Sequence, residues 1–192
     1  MPSPVIGSNG DEVDAQLLAR FRAGDDDAFR EIVARYQKPI YNAAYRLLGT
    51  RDDASDVAQS VFLRIVEKLD DYDPKYRFFS WIYRIAINES IDVLRRTRSE
   101  EPLDEDSDFS APVGDDPEFA FEAGAAGFRV HRALMAMKTD DRVVITLRHF
   151  AECGYAEMAV IIGVDEKTVK SRLFEARRRL AAQLEDLRGV FQ

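Results

Sequence analysis

Apolar residues recur at helical spacing along almost the whole chain, and no run alternates with the period of two that a half-buried strand needs. A short helix is expected near Val13–Ala23. The acidic cluster Asp25-Asp26-Asp27 can cap a long helix running to about Leu48, where Gly49 can take the left-handed conformation that ends it. Asp52-Asp53 open a helix to about Leu69, Asp73-Pro74 breaks the chain, and another helix follows from about Phe79 to Arg96. Beyond residue 127 four shorter helices fit: about Phe128–Met137, Asp140–Phe150, Tyr155–Ile162 and Glu166–Leu187.

Between these groups the pattern fails. From about Thr97 to Gly127 proline, serine, glycine and like charges dominate, with Phe109, Phe119 and Phe121 as isolated apolar positions. Such a stretch buries too little to form a core and reads as an extended linker. The expected fold is therefore all-α, with two small helical domains joined by a flexible acidic linker. The boundaries are a disordered 1–12, a helical domain over 13–97, the linker over 98–127, and a helix-turn-helix domain over 128–192.

Charge sharpens this division. The formal net charge of −8 argues against nucleic acid when taken whole. Ten acidic residues and no lysine or arginine lie between Arg98 and Arg129, whereas Arg129–Gln192 carries twelve basic residues against nine acidic ones. The acidity belongs to the linker, and the segments have separate jobs. Cys153 is the only cysteine, so disulfides and multi-cysteine metal sites within the chain are excluded. No secretion signal or membrane-length apolar run is visible, and a soluble, cytoplasmic protein is expected.

The strongest local signal is Tyr155-Ala-Glu-Met-Ala-Val-Ile-Ile-Gly163-Val-Asp-Glu-Lys-Thr-Val169. Ala159 is small where two helices must cross, Gly163 permits the tight turn, and Val169 plugs the second helix into the first. These are the demands of a helix-turn-helix. In the second helix Val169, Leu173, Ala176 and Leu180 make one apolar stripe. Lys167, Ser171, Phe174 and Arg178 project oppositely, flanked by Lys170 and Arg177. Such a helix can enter a major groove while its basic flanks hold phosphates.

The N-terminal domain carries two further surfaces. Asp53, Asp56, Ser60 and Glu67, with Gln59 and Leu63 beside them, form a mostly acidic stripe, which alone is an ordinary solvated face. Tyr72, Tyr76, Phe78, Phe79, Trp81 and Tyr83 concentrate six aromatics within twelve residues, and a polar stripe of Arg84, Asn88, Asp92 and Arg95 follows. Aromatics beside cations and an amide can stack on unpaired bases, hold phosphates and read a base edge. The same rings can instead be core, and Asn88 can simply bridge helices. Phe78 and Phe79, adjacent on a helix, are not expected both to face inward.

An enzymatic reading finds no phosphate-binding glycine loop and no nucleophile pattern around His131 or His149. His149 and Cys153, four residues apart, are too few to ligate a metal. No catalytic residue, cofactor or metal is expected.

Taken together these residues resemble a known family. Arg77-Phe-Phe-Ser-Trp81-Ile-Tyr-Arg-Ile-Ala-Ile-Asn88-Glu-Ser-Ile-Asp92-Val-Leu-Arg-Arg96 is similar to the promoter-melting segment of extracytoplasmic-function sigma factors. Asp53-Ala-Ser-Asp56-Val-Ala-Gln59-Ser-Val-Phe62-Leu-Arg64 resembles their polymerase-binding helix, and Thr168-Val-Lys-Ser-Arg172-Leu-Phe-Glu-Ala-Arg177 their distal promoter-reading helix. The resemblance spans about Asp14 to Leu187.

It implies a transcription initiation factor, not an enzyme, in which Asp53, Asp56, Gln59, Phe62 and Leu63 bind core RNA polymerase. Tyr76, Phe78, Phe79, Trp81, Arg84, Asn88, Arg95 and Arg96 would recognise and melt the minus-ten element, with Asn88 at a flipped non-template base. Lys167, Thr168, Lys170, Ser171, Arg172, Phe174, Arg177 and Arg178 would bind the minus-thirty-five duplex. It implies an anti-sigma partner as well, and an acidic linker threading the polymerase channel. Ile87 and Glu175 stand where relatives often carry basic residues. A stand-alone helix-turn-helix regulator would leave the aromatic loop and acidic stripe unexplained. A sigma-like decoy would need a switch domain that this length does not hold.

Overall fold

The computed structural model describes residues 8–100 and 117–190, and among them every regular element is helical. In the N-terminal half α1 spans Ser8–Arg22, α2 Asp26–Leu48, α3 Arg51–Lys68 and α4 Phe78–Glu100, with a 3-10 turn at Leu69–Asp71 after α3. In the C-terminal half α5 spans Pro117–Met135, α6 Thr139–Ile145, α7 Tyr155–Ile162 and α8 Glu166–Val190. α6 runs on into a π-helical turn, Thr146–Phe150.

The helix ends follow local chemistry. Asp25 caps α2 by accepting from the backbone N–H groups of Asp27 and Ala28, which contributes about 1 kcal/mol. Gly49 closes α2 in the left-handed region at φ 85°, and Gly163 closes α7 at φ 77°. Thr50 caps α3, which starts at Arg51, one residue ahead of the expected start at Asp52-Asp53.

Two helix starts differ from expectation. α1 begins at Ser8, within the segment expected to be disordered. The added residues carry Asp11, which holds Arg77, and the expected part carries Asp14, whose buried carboxylate pairs with Arg35 and accepts from the Tyr36 hydroxyl. α5 begins at Pro117, inside the expected linker, and breaks at Gly124 (φ 65°). Phe119 and Phe121 fall on that first stretch, while Phe109 lies outside the described residues.

In this structure the two helical domains are docked on each other. One continuous apolar core runs from Leu17, Ile32, Tyr36, Val61 and Ile82 in the first half to Met135, Leu147, Met158 and Leu173 in the second. Arg142 of α6, with no exposed surface, donates from Nη1 to the carbonyl of Leu47 at 2.6 Å. That carbonyl belongs to the last turn of α2, where intrahelical donors have run out and the helix dipole favours a cation. His131 stacks on Tyr45 with ring centroids 4.8 Å apart, and the Arg46 guanidinium lies 4.1 Å over the Phe150 ring. α4 packs against α7.

This docking resolves the two phenylalanines. Phe78 and Phe79 are both buried, at 2% and 4% exposure, which overturns the expectation that they could not both face inward. Phe78 enters the first half's core against Tyr36 and Tyr72. Phe79 points some 100° further round the helix and sits at a tilt against Tyr83, with ring centroids 4.3 Å apart, on a helix that also packs against α7.

Candidate nucleic-acid interface

The helix-turn-helix is formed by α7 and α8. Val169, Leu173 and Ala176 are buried as one stripe, Ala159 packs against the core, and Met158 and Ile161 complete the contact. On the opposite face Lys167, Ser171 and Arg178 are exposed, and Phe174 is 67% exposed, an apolar ring in water on a helix that is otherwise charged. Arg178 is paired with Glu175 at 2.8 Å.

Two of the named residues have other work. Thr168 closes the helix start by bonding Asp165 through both its N–H and its hydroxyl, which holds the Asp165 carboxyl below its usual range. Arg172 is half-buried and turned towards α6, 3.9 Å from Asp140. The neighbouring Arg179 grips buried Asp141 at 2.7 Å, so this flank fastens α8 to α6.

On the opposite flank Lys170 and Arg177, both named from sequence, are joined by Arg148, His149 and Tyr155, which were not. Arg177 donates from Nε to His149 Nε2 at 3.1 Å, while Arg148 and Lys170 both lie over the Tyr155 ring, at 5.2 and 5.4 Å. The π-helical turn supplies Arg148 and His149 to this band, and spacing along a regular helix gives no hint of it.

In the N-terminal half α4 divides cleanly. Phe78, Ile82 and Ala86 face the core, and Ile87 is 2% exposed, so it packs where a phosphate contact had been in question. Arg84, Asn88, Asp92 and Arg95 lie together in solvent, with half-buried Trp81 beside them and exposed Arg96 beyond. Trp81 leans on Tyr72 and Phe78, with centroids 5.5 and 5.7 Å away, and lies two turns before Asn88 on the same side of the helix.

The preceding loop is held in shape. The Tyr72 hydroxyl donates to the Tyr76 carbonyl at 2.7 Å, and Lys75 lies over the Tyr76 ring. Tyr76 is 43% exposed. Between this loop and α1 is a cavity of about 360 Å³ lined by Asp11, Arg22, Tyr72, Tyr76 and Arg77 among others. Asn88 does not line it. Arg77 is pinned between Asp11 of α1 and Glu157 of α7, so the loop and the helix-turn-helix are tied together.

On α3, Asp56, Gln59 and Leu63 are exposed and Phe62 is half-buried. Asp53 accepts from the Thr50 hydroxyl at 2.6 Å and so belongs partly to the helix cap. Leu63 at 65% and Val66 at 52% exposure are large apolar side chains in solvent, and Val66 was not singled out from sequence. A groove of about 410 Å³ between α2 and α3 runs beside them, lined by Val33, Gln37, Tyr41, Gln59 and Phe62 among others. Apolar groups rimmed by carboxylates are the form of a protein-docking surface.

No group of three or more metal-ligating side chains occurs among the described residues. Cys153 is buried while His149 is exposed and engaged with Arg177, so the two share no site. No helix among the described residues is long and apolar enough to cross a membrane.

Comparison with known proteins gives the family. The Sigma-70 region 2 family matches residues 32–100, and the Sigma-70, region 4 family matches residues 127–180. The chain is 32% identical to the ECF RNA polymerase sigma factor SigW of Bacillus subtilis over 179 residues, 88% of this chain and 96% of that protein. It is also 32% identical to the RNA polymerase sigma-H factor of Pseudomonas aeruginosa over 185 residues, 92% and 96% of the two chains. Among solved structures, CnrH in complex with the cytosolic domain of CnrY superposes with a TM-score of 0.70 at 28% identity, covering 91% of this chain and 98% of that one.

An all-helical chain with one region of each kind is a promoter-directing factor of the sigma-70 class. Within that class the chain belongs to the extracytoplasmic-function sigma factors, which work with RNA polymerase in transcription initiation.

Proposed function

We propose that this sigma factor divides its work among the three surfaces described above. α3 docks on core RNA polymerase through Asp56, Gln59, Phe62, Leu63 and Val66, with Asp53 shaping the helix start. The strip of Trp81, Arg84, Asn88, Arg95 and Arg96, with Tyr76 on the loop before it, takes the melted minus-ten strand. Lys167, Lys170, Ser171, Phe174, Arg177 and Arg178 take the minus-thirty-five duplex. The observation that carries this reading is the exposure of Asn88 in line with Arg84 and Arg95, on a helix whose Phe78, Ile82 and Ala86 face is buried. A stand-alone operator-binding regulator has no use for that strip.

The docked halves describe a resting form. Two elements about twenty-five base pairs apart lie roughly 85 Å apart at 3.4 Å per pair, whereas a compact chain of this size is about 40 Å across. The halves must therefore separate to read both, and the chain over 101–116, between α4 and α5, can reach about 55 Å when extended. Phe79 becomes available only then.

The factor acts on the cytoplasmic side, without catalysis of its own, and is restrained by an anti-sigma partner. CnrH was solved with the cytosolic domain of CnrY, and RpoE of Bartonella quintana with the anti-sigma factor NepR. Co-elution with sigma-free core polymerase, followed by permanganate footprinting on a promoter fragment, tests the whole assignment. Reactive thymines at the minus-ten element that need both proteins support it; a protein that binds duplex alone and never opens it contradicts it.

A further inference from the structure

His149 has no part in the assignments above, and its surroundings are unusual. It sits in the π-helical turn, exposed, and its Nε2 accepts a hydrogen bond from Arg177 Nε at 3.1 Å. An imidazole nitrogen that accepts must be unprotonated, so the ring is held neutral by a permanent cation. The charged groups acting on it are Arg177 from α8 and Arg148 from its own turn, and neither Glu152 nor Glu175 is among them. Burial first, then the two arginines, hold its pKa below the ordinary histidine value.

Such a site is incomplete. Arg177 spends a donor on a neutral acceptor, and the nearby Arg148 guanidinium is held by the Cys153 carbonyl at 2.8 Å and the Tyr155 ring. An anion entering between Arg177 and His149 would accept from both, once the imidazole takes a proton. On α8 Arg177 lies three residues from exposed Phe174 and seven from Lys170, at the edge of the groove-facing surface. A duplex seated on that surface brings its backbone phosphates to this edge.

We propose that His149 and Arg177 form a phosphate-binding site on the flank of the helix-turn-helix, so that binding of duplex DNA is coupled to protonation of His149. The inference rests on the minus-thirty-five reading of α8. In the step, the Arg177–His149 hydrogen bond breaks, and Arg177 donates instead to a phosphate oxygen. His149 Nε2 takes one proton from solvent and donates it as a hydrogen bond to the same phosphate. The one bond formed is Nε2–H, its proton released by a solvent or buffer acid, so one proton is taken up for each duplex bound whenever free His149 is neutral.

The linkage has a definite sign. The bound-state pKa is raised by the phosphate above the free value, so affinity is greatest below the free pKa and falls as pH rises through the bound pKa. In that window the dissociation constant should weaken by up to tenfold per pH unit.

The test measures binding of the full chain to a fluorescein-labelled duplex of about twenty base pairs from pH 5.5 to 8.5 at fixed salt, beside His149→Gln. Glutamine keeps an acceptor for Arg177 and cannot titrate. The expected result is a falling affinity for the wild type and a flatter curve for H149Q, with the two meeting at high pH. At pH 6 the salt dependence of H149Q should be shallower by about one phosphate contact, a slope difference of about 0.9. Equal pH profiles with both proteins binding would overturn the histidine site and leave the DNA reading intact. No duplex binding by either protein at any pH would overturn both.

Discussion

Arg142 and Leu47 join the two halves of the chain: a guanidinium with no exposed surface donates at 2.6 Å to a carbonyl at the end of α2. No carboxylate partners this cation among the described residues, and burial drags its pKa down to about 10. It keeps its charge at neutral pH, so the closed form carries a desolvated ion held chiefly by a backbone oxygen. A contact of this kind closes the molecule without locking it, because water is an adequate alternative partner for both groups once the halves part.

Arg142→Ala should open the molecule. The substitution removes a charge-assisted hydrogen bond, orphans the Leu47 carbonyl and leaves unfilled space, for about 2–3 kcal/mol against the closed form. Hydrogen exchange by mass spectrometry should rise on the order of a hundredfold along α4 and α7, with α2 and α3 much less affected. Uniform protection in the variant would show that the halves are held by the apolar contact alone.

Cys153 offers a native probe of the same opening. It is 1% exposed, and burial first, with Glu157 second, pushes its thiol up to about 12. The closed form therefore binds the thiol proton more tightly than an opened or unfolded chain does. Stability from this group is intact below about pH 9 and is lost as pH rises from there towards 12. Thermal melts should show an alkaline fall that Cys153→Ala reduces, and thiol labelling at pH 8 should be slow in the wild type and faster in R142A.

Both probes concern the part of the molecule that the sequence hid. Asp25, Gly49 and Gly163 mark helix ends by chemistry that acts within a few residues, and the stripe of Val169, Leu173 and Ala176 is a local periodicity. Those features were legible. The covering of Phe79 was not, because a helix with two apolar faces does not say which distant element buries the second. Arg142 reads in sequence as one more surface cation, and only the neighbouring end of α2 makes it a buried one. His149 escaped for a related reason: the π-helical turn redirects it towards α8, and regular spacing does not foresee that turn.

On α3 the exposed apolar pair gives a separable prediction. Leu63→Asp and Val66→Asp should each weaken core-polymerase binding tenfold or more, since central apolar contacts dominate such interfaces. Folding stability should stay within about 0.5 kcal/mol, because both side chains already lie in water. Pull-down titration beside a denaturation curve checks both, and a large loss of stability would mean that the pair is structural.

In the melting strip, Asn88→Ala should remove discrimination at a single minus-ten position. A base-edge contact of this type is worth about 1–3 kcal/mol, or roughly five- to a hundredfold between the preferred base and the others. Trp81→Ala should weaken every promoter by a similar amount, because stacking is indifferent to base identity, at some cost in core packing. Competition among fragments varied at each minus-ten position distinguishes the two. Equal loss on all fragments for N88A would place the amide outside base reading.

The central claim is that one chain directs core RNA polymerase to promoters through two DNA surfaces, and run-off transcription tests it most directly. Sigma-free core polymerase would be given genomic promoter fragments with and without this protein, alongside Asn88→Ala and Arg178→Ala. Transcripts that require the protein and weaken with both variants are the predicted result. No transcript, together with no binding to core polymerase, would contradict the account.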